Sequence, residues 1–175
     1  MLTFVIGGAR SGKSALAERV VRATKGRPVY IATAEAWDDE MRARIARHRD
    51  DRGAGWHTVE APRDLPGALA GIAGTDAVLI DCATLWLSNQ MLAESDLPQV
   101  TEDWLAALAA CPAPVVIVSN EVGQGIVPDN ALARRFRDEQ GRLNQQLAAR
   151  ANCVVTVIAG LPLVLKGSLP AGVAP

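Results

Sequence analysis

The sequence predicts an α/β fold of three layers around a mainly parallel central sheet, and two observations carry this prediction. Short apolar runs, mostly rich in β-branched residues, lie at residues 2–6, 28–32, 77–81, 115–119 and 154–158. Each run shows little polar alternation, which is typical of strands buried on both faces of a parallel sheet. The segments between the runs are long enough for crossover helices, and such strand–helix alternation indicates an α/β fold.

Further elements follow from local patterns along the chain. Helical patterns extend over residues 14–24, 37–51 and 130–150. The last of these carries leucine and phenylalanine side chains at helical spacing, and a Pro-Asp pair before it is typical of a helix start. Residues 56–60 are expected to form an exposed short strand, and residues 163–166 an edge strand.

Length and composition favour one globular domain. The chain has 175 residues, 49% of them hydrophobic, and a formal net charge of −1, which excludes a disordered chain and provides no basic field for nucleic acid. No apolar run is long enough to span a membrane. The three cysteines show no metal-binding or disulfide spacing, which predicts reduced thiols and a cytoplasmic location. Residues 1–167 are predicted to form the domain, and the Pro-, Gly- and Ala-rich residues 168–175 to fray.

A glycine-rich segment, GGARSGKS at residues 7–14, fits the pattern G-x-x-x-x-G-K-[ST] between a predicted strand and a predicted helix. The glycines let backbone N–H groups point at phosphate oxygens, and the helix start adds the positive end of its dipole. Lys13 is expected to reach the β- and γ-phosphates of a nucleotide, and the Ser14 hydroxyl to bind Mg²⁺. The alternative is a glycine turn that matches by chance, and the two flanking elements argue against it.

Acidic and amide side chains follow two of the other predicted strands. Asp81 ends the run 77–81 and is a candidate for the acid on the magnesium side of the nucleotide. Its alternative role is to cap the following helix; the strand end favours the nucleotide role, because open α/β sheets bind ligands there. Asn120 and Glu121 end another strand, and they are equally suited to bind substrate, to order a water or to cap a turn.

The predicted helix over residues 37–51 has an apolar face that ends at His48. Arginines at positions 44, 47, 49 and 52 flank this histidine. One interpretation is a packed helix whose last core-facing residue is a histidine, and the residues alone favour it. In the other, the neutral imidazole attacks a phosphate of a bound nucleotide while the arginines hold the triphosphate. The remaining histidine, His57, is assigned a structural role.

Motif absences narrow the class of nucleotide-binding protein. The N-K-x-D guanine clamp of signalling GTPases and the L-S-G-G-Q signature of transporter ATPases are both missing. A small-molecule kinase or a nucleotidyl transferase remains as the main expectation. Two alternatives stay open: a simple kinase of a small alcohol in which His48 is structural, and a binding module that uses the nucleotide as a switch.

A set of sequence blocks resembles one enzyme family along nearly the whole chain, from residue 2 to about residue 166. That family is the bifunctional adenosylcobinamide kinase / adenosylcobinamide-phosphate guanylyltransferase of cobalamin biosynthesis. The histidine-containing block and the SNEVG–GIVP pair are the most specific parts. The matching blocks are GGARSGKS at 7–14, YIAT at 30–33, DDEM at 38–41, RIARHRD at 44–50, WHTVE at 56–60, SNEVG at 119–123, GIVP at 125–128, LARRFRD at 132–138 and GRLN at 141–144.

The resemblance implies two reactions, with ATP or GTP as substrates and Mg²⁺ as cofactor. In the first, a nucleoside triphosphate phosphorylates the aminopropanol hydroxyl of adenosylcobinamide. In the second, GTP gives GMP to a histidine, which passes it to adenosylcobinamide phosphate; pyrophosphate leaves and adenosylcobinamide-GDP forms. By motif match the histidine is His48, which reverses the preference for a structural role.

Site residues, fold and assembly also follow from the resemblance. The family resembles RecA-type P-loop folds and forms homotrimers in which a neighbouring subunit helps to form each site. Lys13 is the second catalytic residue expected, and Ser14 and Asp81 are the expected metal ligands. The nucleotide contacts implied are Gly7, Gly8, Ala9, Arg10, Ser11, Gly12, Lys13, Ser14, Ala32, Thr33, Ala34, Arg49, Asp50, Asp51, Arg52, Glu60 and Asp81.

Overall fold

The computed structural model describes residues 1–35, 39 and 53–173. In this part of the chain seven strands and five helices are defined. The strands are β1 (Leu2–Gly7), β2 (Arg27–Ala32), β3 (His57–Glu60), β4 (Asp76–Asp81), β5 (Val115–Asn120), β6 (Cys153–Ile158) and β7 (Leu161–Lys166). The helices are α1 (Lys13–Ala23), α2 (Leu65–Ala70), α3 (Ala83–Leu92), α4 (Leu97–Ala110) and α5 (Ala131–Arg150). The predicted helix over 37–51 lies outside the described residues, apart from position 39.

One sheet of seven strands forms the centre of the molecule, in the order β3-β2-β4-β5-β1-β6-β7. All neighbouring pairs are parallel except β6 and β7, which are antiparallel. The predicted mainly parallel α/β sheet is therefore confirmed. The two short strands expected to be exposed or at an edge, β3 and β7, are the outer strands of this sheet.

Helices cover both faces of the sheet and create two separate apolar layers. On one face α1 packs on β1, β4 and β5 through Leu16, Ala17, Val20 and Val21. On the other face the remaining described helices bury Leu65, Trp86, Trp104 and Leu147 with the alternate side chains of the same strands. The five inner strands β1, β2, β4, β5 and β6 thus have apolar side chains on both faces, which is why their sequences show little polar alternation.

Local capping residues explain where three of the helices begin. The carboxylates of Asp64 and Asp96 and the amide oxygen of Asn130 each accept a hydrogen bond from a backbone N–H three residues further on, at 2.8, 3.2 and 2.8 Å. Such side chains satisfy N–H groups that have no partner within the helix. The helix predicted over 130–150 is confirmed, with Asn130 as its cap.

The C-terminal tail is described as far as Val173. This side chain is 5% exposed and packs in the same apolar layer as α1, where Leu169 is partly buried. The domain boundary at residue 167 and the fraying of 168–175 stay predictions, although Val173 lies against the core.

Candidate nucleotide-binding site

The segment Gly7–Ser14 forms a loop that joins the end of β1 to the start of α1, as predicted. Gly12 precedes the helix with φ +94°, a conformation that glycine adopts without strain. At Gly7 an added Cβ would lie 2.6 Å from the Val157 carbonyl oxygen and 2.7 Å from Ser11 Oγ, so only glycine fits. These two glycines let the loop curve tightly over the end of the sheet.

Lys13 is held over this loop rather than extended into solvent. Its side chain is only 9% exposed, and Nζ donates a hydrogen bond to the Gly8 carbonyl oxygen at 3.0 Å. The first turn of α1 contains no acidic residue, so the positive end of the helix dipole is not neutralised there. A lysine ammonium and a helix N-terminus at one loop form a site suited to the phosphates of a nucleotide.

Two neighbouring segments hold the phosphate loop in place through the main chain. The N–H of Gly160, in the turn between β6 and β7, donates to the Ser11 carbonyl at 2.8 Å. The N–H of Glu121 donates to the Gly7 carbonyl at 3.1 Å. The Ser11 hydroxyl is buried and has no hydrogen-bond partner within the described part of the chain. An orphaned polar atom at this position fits a phosphate ligand.

Asp81 ends β4, two strands away from β1 in the sheet order, and its carboxylate is half-buried. The thiol of the next residue, Cys82, is affected by both charged groups of the site. Burial, followed by the negative charge of Asp81, raises the pKa of the Cys82 thiol to about 12, against a lowering effect of the positive charge of Lys13. Both charges therefore act on one thiol. The structure thus places the predicted acid and the predicted lysine in one neighbourhood.

The alternative predicted for Asp81 is to cap the next helix. Helix α3 begins at Ala83, and its N-cap is Cys82, whose side chain makes no capping hydrogen bond. A carboxylate together with the Ser14 hydroxyl is an oxygen donor set, which is what Mg²⁺ prefers. Among the described residues no group of three or more His, Cys, Asp or Glu side chains could hold a metal on its own. Such a site fits a Mg²⁺ ion that is bound mainly through nucleotide phosphates.

The remaining predicted contacts lie at the ends of β2 and β3, with different exposures. Ala32 is 7% exposed, Thr33 is 0% exposed, and Ala34 is half-buried, whereas Glu60 is exposed. Glu60 lies in register with Ala32 on the outer strand β3, four strand spacings from β1. Because strands are about 4.8 Å apart, this separation is about 19 Å. Within one chain the structure thus brings Lys13 and Asp81 together but leaves Glu60 at the far edge of the sheet.

Five of the predicted site residues cannot be located. His48, Arg49, Asp50, Asp51 and Arg52 lie outside the described residues. Their roles stay predictions that rest on the sequence.

Beside the phosphate loop, sequence reasoning missed a buried polar network at the end of β5. Ser119 Oγ donates to Asn144 Oδ1 at 2.7 Å and accepts from Gln140 Nε2 at 3.0 Å. The Asn120 N–H donates to Thr84 Oγ1 at 2.8 Å. These groups come from β5, α3 and α5, so no local pattern could have revealed them.

For Glu121 the structure shows the turn-capping contact, one of the alternatives predicted. Its carboxylate accepts a hydrogen bond from the Gly123 N–H at 2.6 Å, so it caps the turn after β5. Its own N–H holds the phosphate loop, as described above. Glu121 therefore acts as a structural support beside the loop.

These features define a P-loop nucleotide-binding enzyme, with the phosphate loop and an acidic strand end at the same edge of a parallel sheet. The sequence profile of the family described as cobinamide kinase / cobinamide phosphate guanyltransferase matches residues 3–165. The chain belongs to this family and is therefore a bifunctional kinase and guanylyltransferase. The resemblance stated from the sequence blocks is confirmed.

Curated relatives support the same assignment over their full length. The chain is 45% identical to the bifunctional adenosylcobalamin biosynthesis protein CobP of Pseudomonas aeruginosa, over 95% of this chain and 98% of that protein. It is 43% and 41% identical to the bifunctional adenosylcobalamin biosynthesis proteins CobU of Salmonella typhimurium and Escherichia coli, over 95% of this chain and 100% of each relative.

Among solved structures, the RadB recombinase superposes with a TM-score of 0.48 at 16% identity, over 89% of this chain and 73% of that chain. In the described part of the chain, no helix is both long and apolar enough to cross a membrane.

Proposed function

We propose that the chain phosphorylates adenosylcobinamide with ATP or GTP and then transfers GMP from GTP to adenosylcobinamide phosphate, through a guanylyl adduct on His48. The observation that carries this proposal is the phosphate loop with Lys13 folded over it, beside the acidic end of β4. The family membership supplies the two reactions, and the corrinoid is the substrate named by the family description.

In the kinase step, the aminopropanol hydroxyl oxygen attacks the γ-phosphorus of the nucleoside triphosphate. The bond from that phosphorus to the β–γ bridging oxygen breaks, the nucleoside diphosphate leaves, and the hydroxyl proton passes to solvent. Lys13 and the backbone N–H groups of the loop stabilise charge on the β- and γ-phosphate oxygens as this bond breaks. Ser14 and Asp81 would hold Mg²⁺, which neutralises phosphate charge when bound.

In the guanylyl transfer, an imidazole nitrogen of His48 attacks the α-phosphorus of GTP and pyrophosphate leaves. A phosphate oxygen of adenosylcobinamide phosphate then attacks the same phosphorus, the P–N bond breaks, and free histidine is restored. The neutral imidazole is a competent nucleophile near neutral pH. Arg49 and Arg52 are proposed to bind the triphosphate, and Asp50, Asp51 and Glu60 to complete the nucleotide contacts.

Assaying the two reactions separately on His48→Ala tests this division of labour. Guanylyl transfer should fall to background while kinase turnover stays within about threefold of wild type, because γ-phosphoryl transfer does not pass through this residue. His57→Ala is the matched control, since the only other histidine is exposed on the outer strand β3 and should be dispensable for both reactions. Equal loss of both activities in a folded His48→Ala variant would contradict the proposal. Retention of both activities would show that guanylyl transfer does not pass through His48.

The proposal includes a homotrimer in the cytoplasm, where the three free cysteines would stay reduced. The outer strand β7 supports assembly, because Leu161, Leu163 and Leu165 are 70%, 58% and 61% exposed on a strand whose outer edge pairs with no other described strand. Apolar edges of this kind are normally covered. Light scattering on the eluting peak of a sizing column should give three times the 18.5 kDa chain mass. A monomer mass at micromolar concentration would contradict this part.

A further inference from the structure

Thr33 directly follows β2. Its hydroxyl both donates to and accepts from the main chain of a single residue, Cys82. Thr33 Oγ1 donates to the Cys82 carbonyl oxygen at 2.8 Å and accepts from the Cys82 N–H at 2.6 Å. The Thr33 N–H also donates to the Asp81 carbonyl at 3.2 Å. Three hydrogen bonds therefore join Thr33 to the two residues at the end of β4.

A second side chain fixes Thr33 from the opposite side. Asn89 of α3 is 5% exposed, and its Nδ2 donates to the Thr33 carbonyl at 2.8 Å and to the Pro62 carbonyl at 3.0 Å. Helix α3 begins directly after Cys82, so the contacts form a closed circuit from the end of β4 through α3 and Thr33 back to the end of β4. Such a circuit restricts the main chain on both sides of the Asp81 carboxylate.

The polar groups of Thr33 are all hydrogen-bonded within the protein. A threonine hydroxyl has one donor hydrogen, which is already used, and the residue is 0% exposed. Its main-chain N–H and carbonyl are also bonded within the protein. A role as a direct nucleotide contact, which the family resemblance implied, therefore does not suit the position that Thr33 occupies here.

We propose that Thr33 is a positioning residue, whose hydroxyl fixes the Asp81–Cys82 main chain so that the Asp81 carboxylate meets the Mg²⁺ of a bound nucleotide. The inference rests on the proposed function only in taking Asp81 as the acid on the magnesium side. Partners that orient a metal ligand typically change metal affinity about 10–100-fold when they are removed, without touching the metal themselves. The expected signature is therefore a loss of metal coupling, by which we mean the tightening of nucleotide binding by Mg²⁺. The nucleotide itself should still bind without the metal.

The test is equilibrium binding of a fluorescent GTP analogue, with and without Mg²⁺, which needs no corrinoid and no turnover. Thr33→Val removes the hydroxyl at nearly constant shape, Thr33→Ser restores it, and Asp81→Asn reports the full metal contribution. Thr24→Val is the matched control, because among the described residues its hydroxyl bonds only to the Val20 carbonyl at the far end of α1, at 2.9 Å. Thr33→Ala replaces the valine variant if the latter does not fold.

The expected result is a selective loss of metal coupling in Thr33→Val. The Mg²⁺ concentration for half-maximal tightening of GTP binding should rise about tenfold or more, while metal-free affinity changes less than about threefold. Thr33→Ser and Thr24→Val should behave as wild type. Amide hydrogen exchange at Cys82, measured without metal or nucleotide, should be faster in Thr33→Val, because its N–H has lost its acceptor.

Three results would overturn the inference. Metal-free GTP binding weakened as much as Mg²⁺-dependent binding would make Thr33 a direct contact or a general structural residue. Unchanged metal dependence in Thr33→Val, with Asp81→Asn impaired, would show that Asp81 needs no such support. If Asp81→Asn itself keeps the full effect of Mg²⁺, the metal role of Asp81 in the proposed function fails and the inference fails with it. Absent corrinoid turnover with intact metal coupling would instead refute only the proposed reactions.

Discussion

The two ends of β4 carry the same residue type and use it differently. Asp76, at the amino end, is 1% exposed and receives hydrogen bonds from Arg27 Nε at 2.9 Å and from the Ala73 N–H at 2.9 Å. Asp81, at the carboxyl end, is half-buried, and its charge and that of Lys13 both act on the Cys82 thiol. One aspartate joins a strand to its neighbours; the other faces the ligand edge of the sheet.

The difference follows from the direction of a parallel sheet. At the carboxyl ends, the phosphate loop, the start of α1 and the strand ends create a concave edge where polar groups meet a ligand. At the amino ends the chain enters from helices, and a buried carboxylate there must find partners within the protein. Position along the strand, rather than residue type, therefore separates the structural aspartate from the one proposed to bind Mg²⁺.

The largest effect should come from Lys13→Ala at the carboxyl end. Removing one preorganised cation from a phosphoryl-transfer site should lower the rate of both reactions about 10²–10³-fold, while the midpoint of thermal unfolding stays near wild type. Lys25→Ala is the control, because Lys25 is an exposed lysine at the other end of α1. Steady-state rates with each nucleotide measure the effect. A loss below about fivefold would remove Lys13 from the catalytic machinery.

Asp76→Asn should lower the stability of the protein and leave the reaction rates unchanged, the opposite of Lys13→Ala. Losing the charged partner of Arg27 should lower the free energy of unfolding by about 1–3 kcal/mol, with turnover per folded molecule unchanged. Urea unfolding at neutral pH measures the first quantity, and kinase rates at a temperature below the transition measure the second. A greater loss of stability in Asp81→Asn than in Asp76→Asn would contradict the assignment of the structural role to Asp76.

Lowering the pH should selectively remove the contribution of Asp76 to the free energy of unfolding. The hydrogen bond from Arg27, followed by that from the Ala73 N–H, lowers the pKa of Asp76 below its ordinary 3.8. A lowered folded-state pKa gives stability that is fully present above the unfolded-state value and is lost as pH falls through the folded-state value. The difference in unfolding free energy between wild type and Asp76→Asn should thus be constant above about pH 5 and shrink below pH 3.8. Urea titrations at several pH values check this, and a constant gap down to pH 3 would contradict it.

The smallest effect concerns the thiol beside Asp81. With its pKa raised to about 12 by burial and by Asp81, Cys82 should stay protonated and inert to a thiol reagent at pH 8. Cys111, which is only partly buried, should react first. Mass spectrometry after timed alkylation identifies the labelled residue. Fast labelling of Cys82 in the native protein would show that the end of β4 opens to solvent.

Much of the fold could be predicted, because buried parallel strands are marked by continuous apolar runs. All five of these runs became strands of the sheet, with ends that moved by one or two residues at most. Helices α2, α3 and α4 were expected only as unplaced crossovers. Helix α3 is buried nearly all round and so lacks a polar stripe, while the Asp96 cap before Pro98 was an available signal for α4.

The candidate site also has a part that the sequence predicts and a part that it does not. The phosphate loop was predicted because its chemistry depends on a contiguous segment of glycines, lysine and serine. The hydrogen bonds between Thr33 and Cys82 and the polar network around Ser119 could not be predicted, since the bonded groups are 49 and 25 residues apart in sequence. Only the fold reveals which distant polar side chains share a buried position.

The most direct test of the account is to incubate the protein with Mg²⁺ and GTP labelled at the α-phosphate, then denature it and follow the label. A guanylyl-histidine intermediate predicts protein-bound label that survives base and is released by acid, as a phosphoramidate would be. The label should be absent in His48→Ala and strongly reduced in Lys13→Ala. No label under conditions in which GTP binds and its γ-phosphate is consumed would contradict the covalent mechanism and leave a simple kinase.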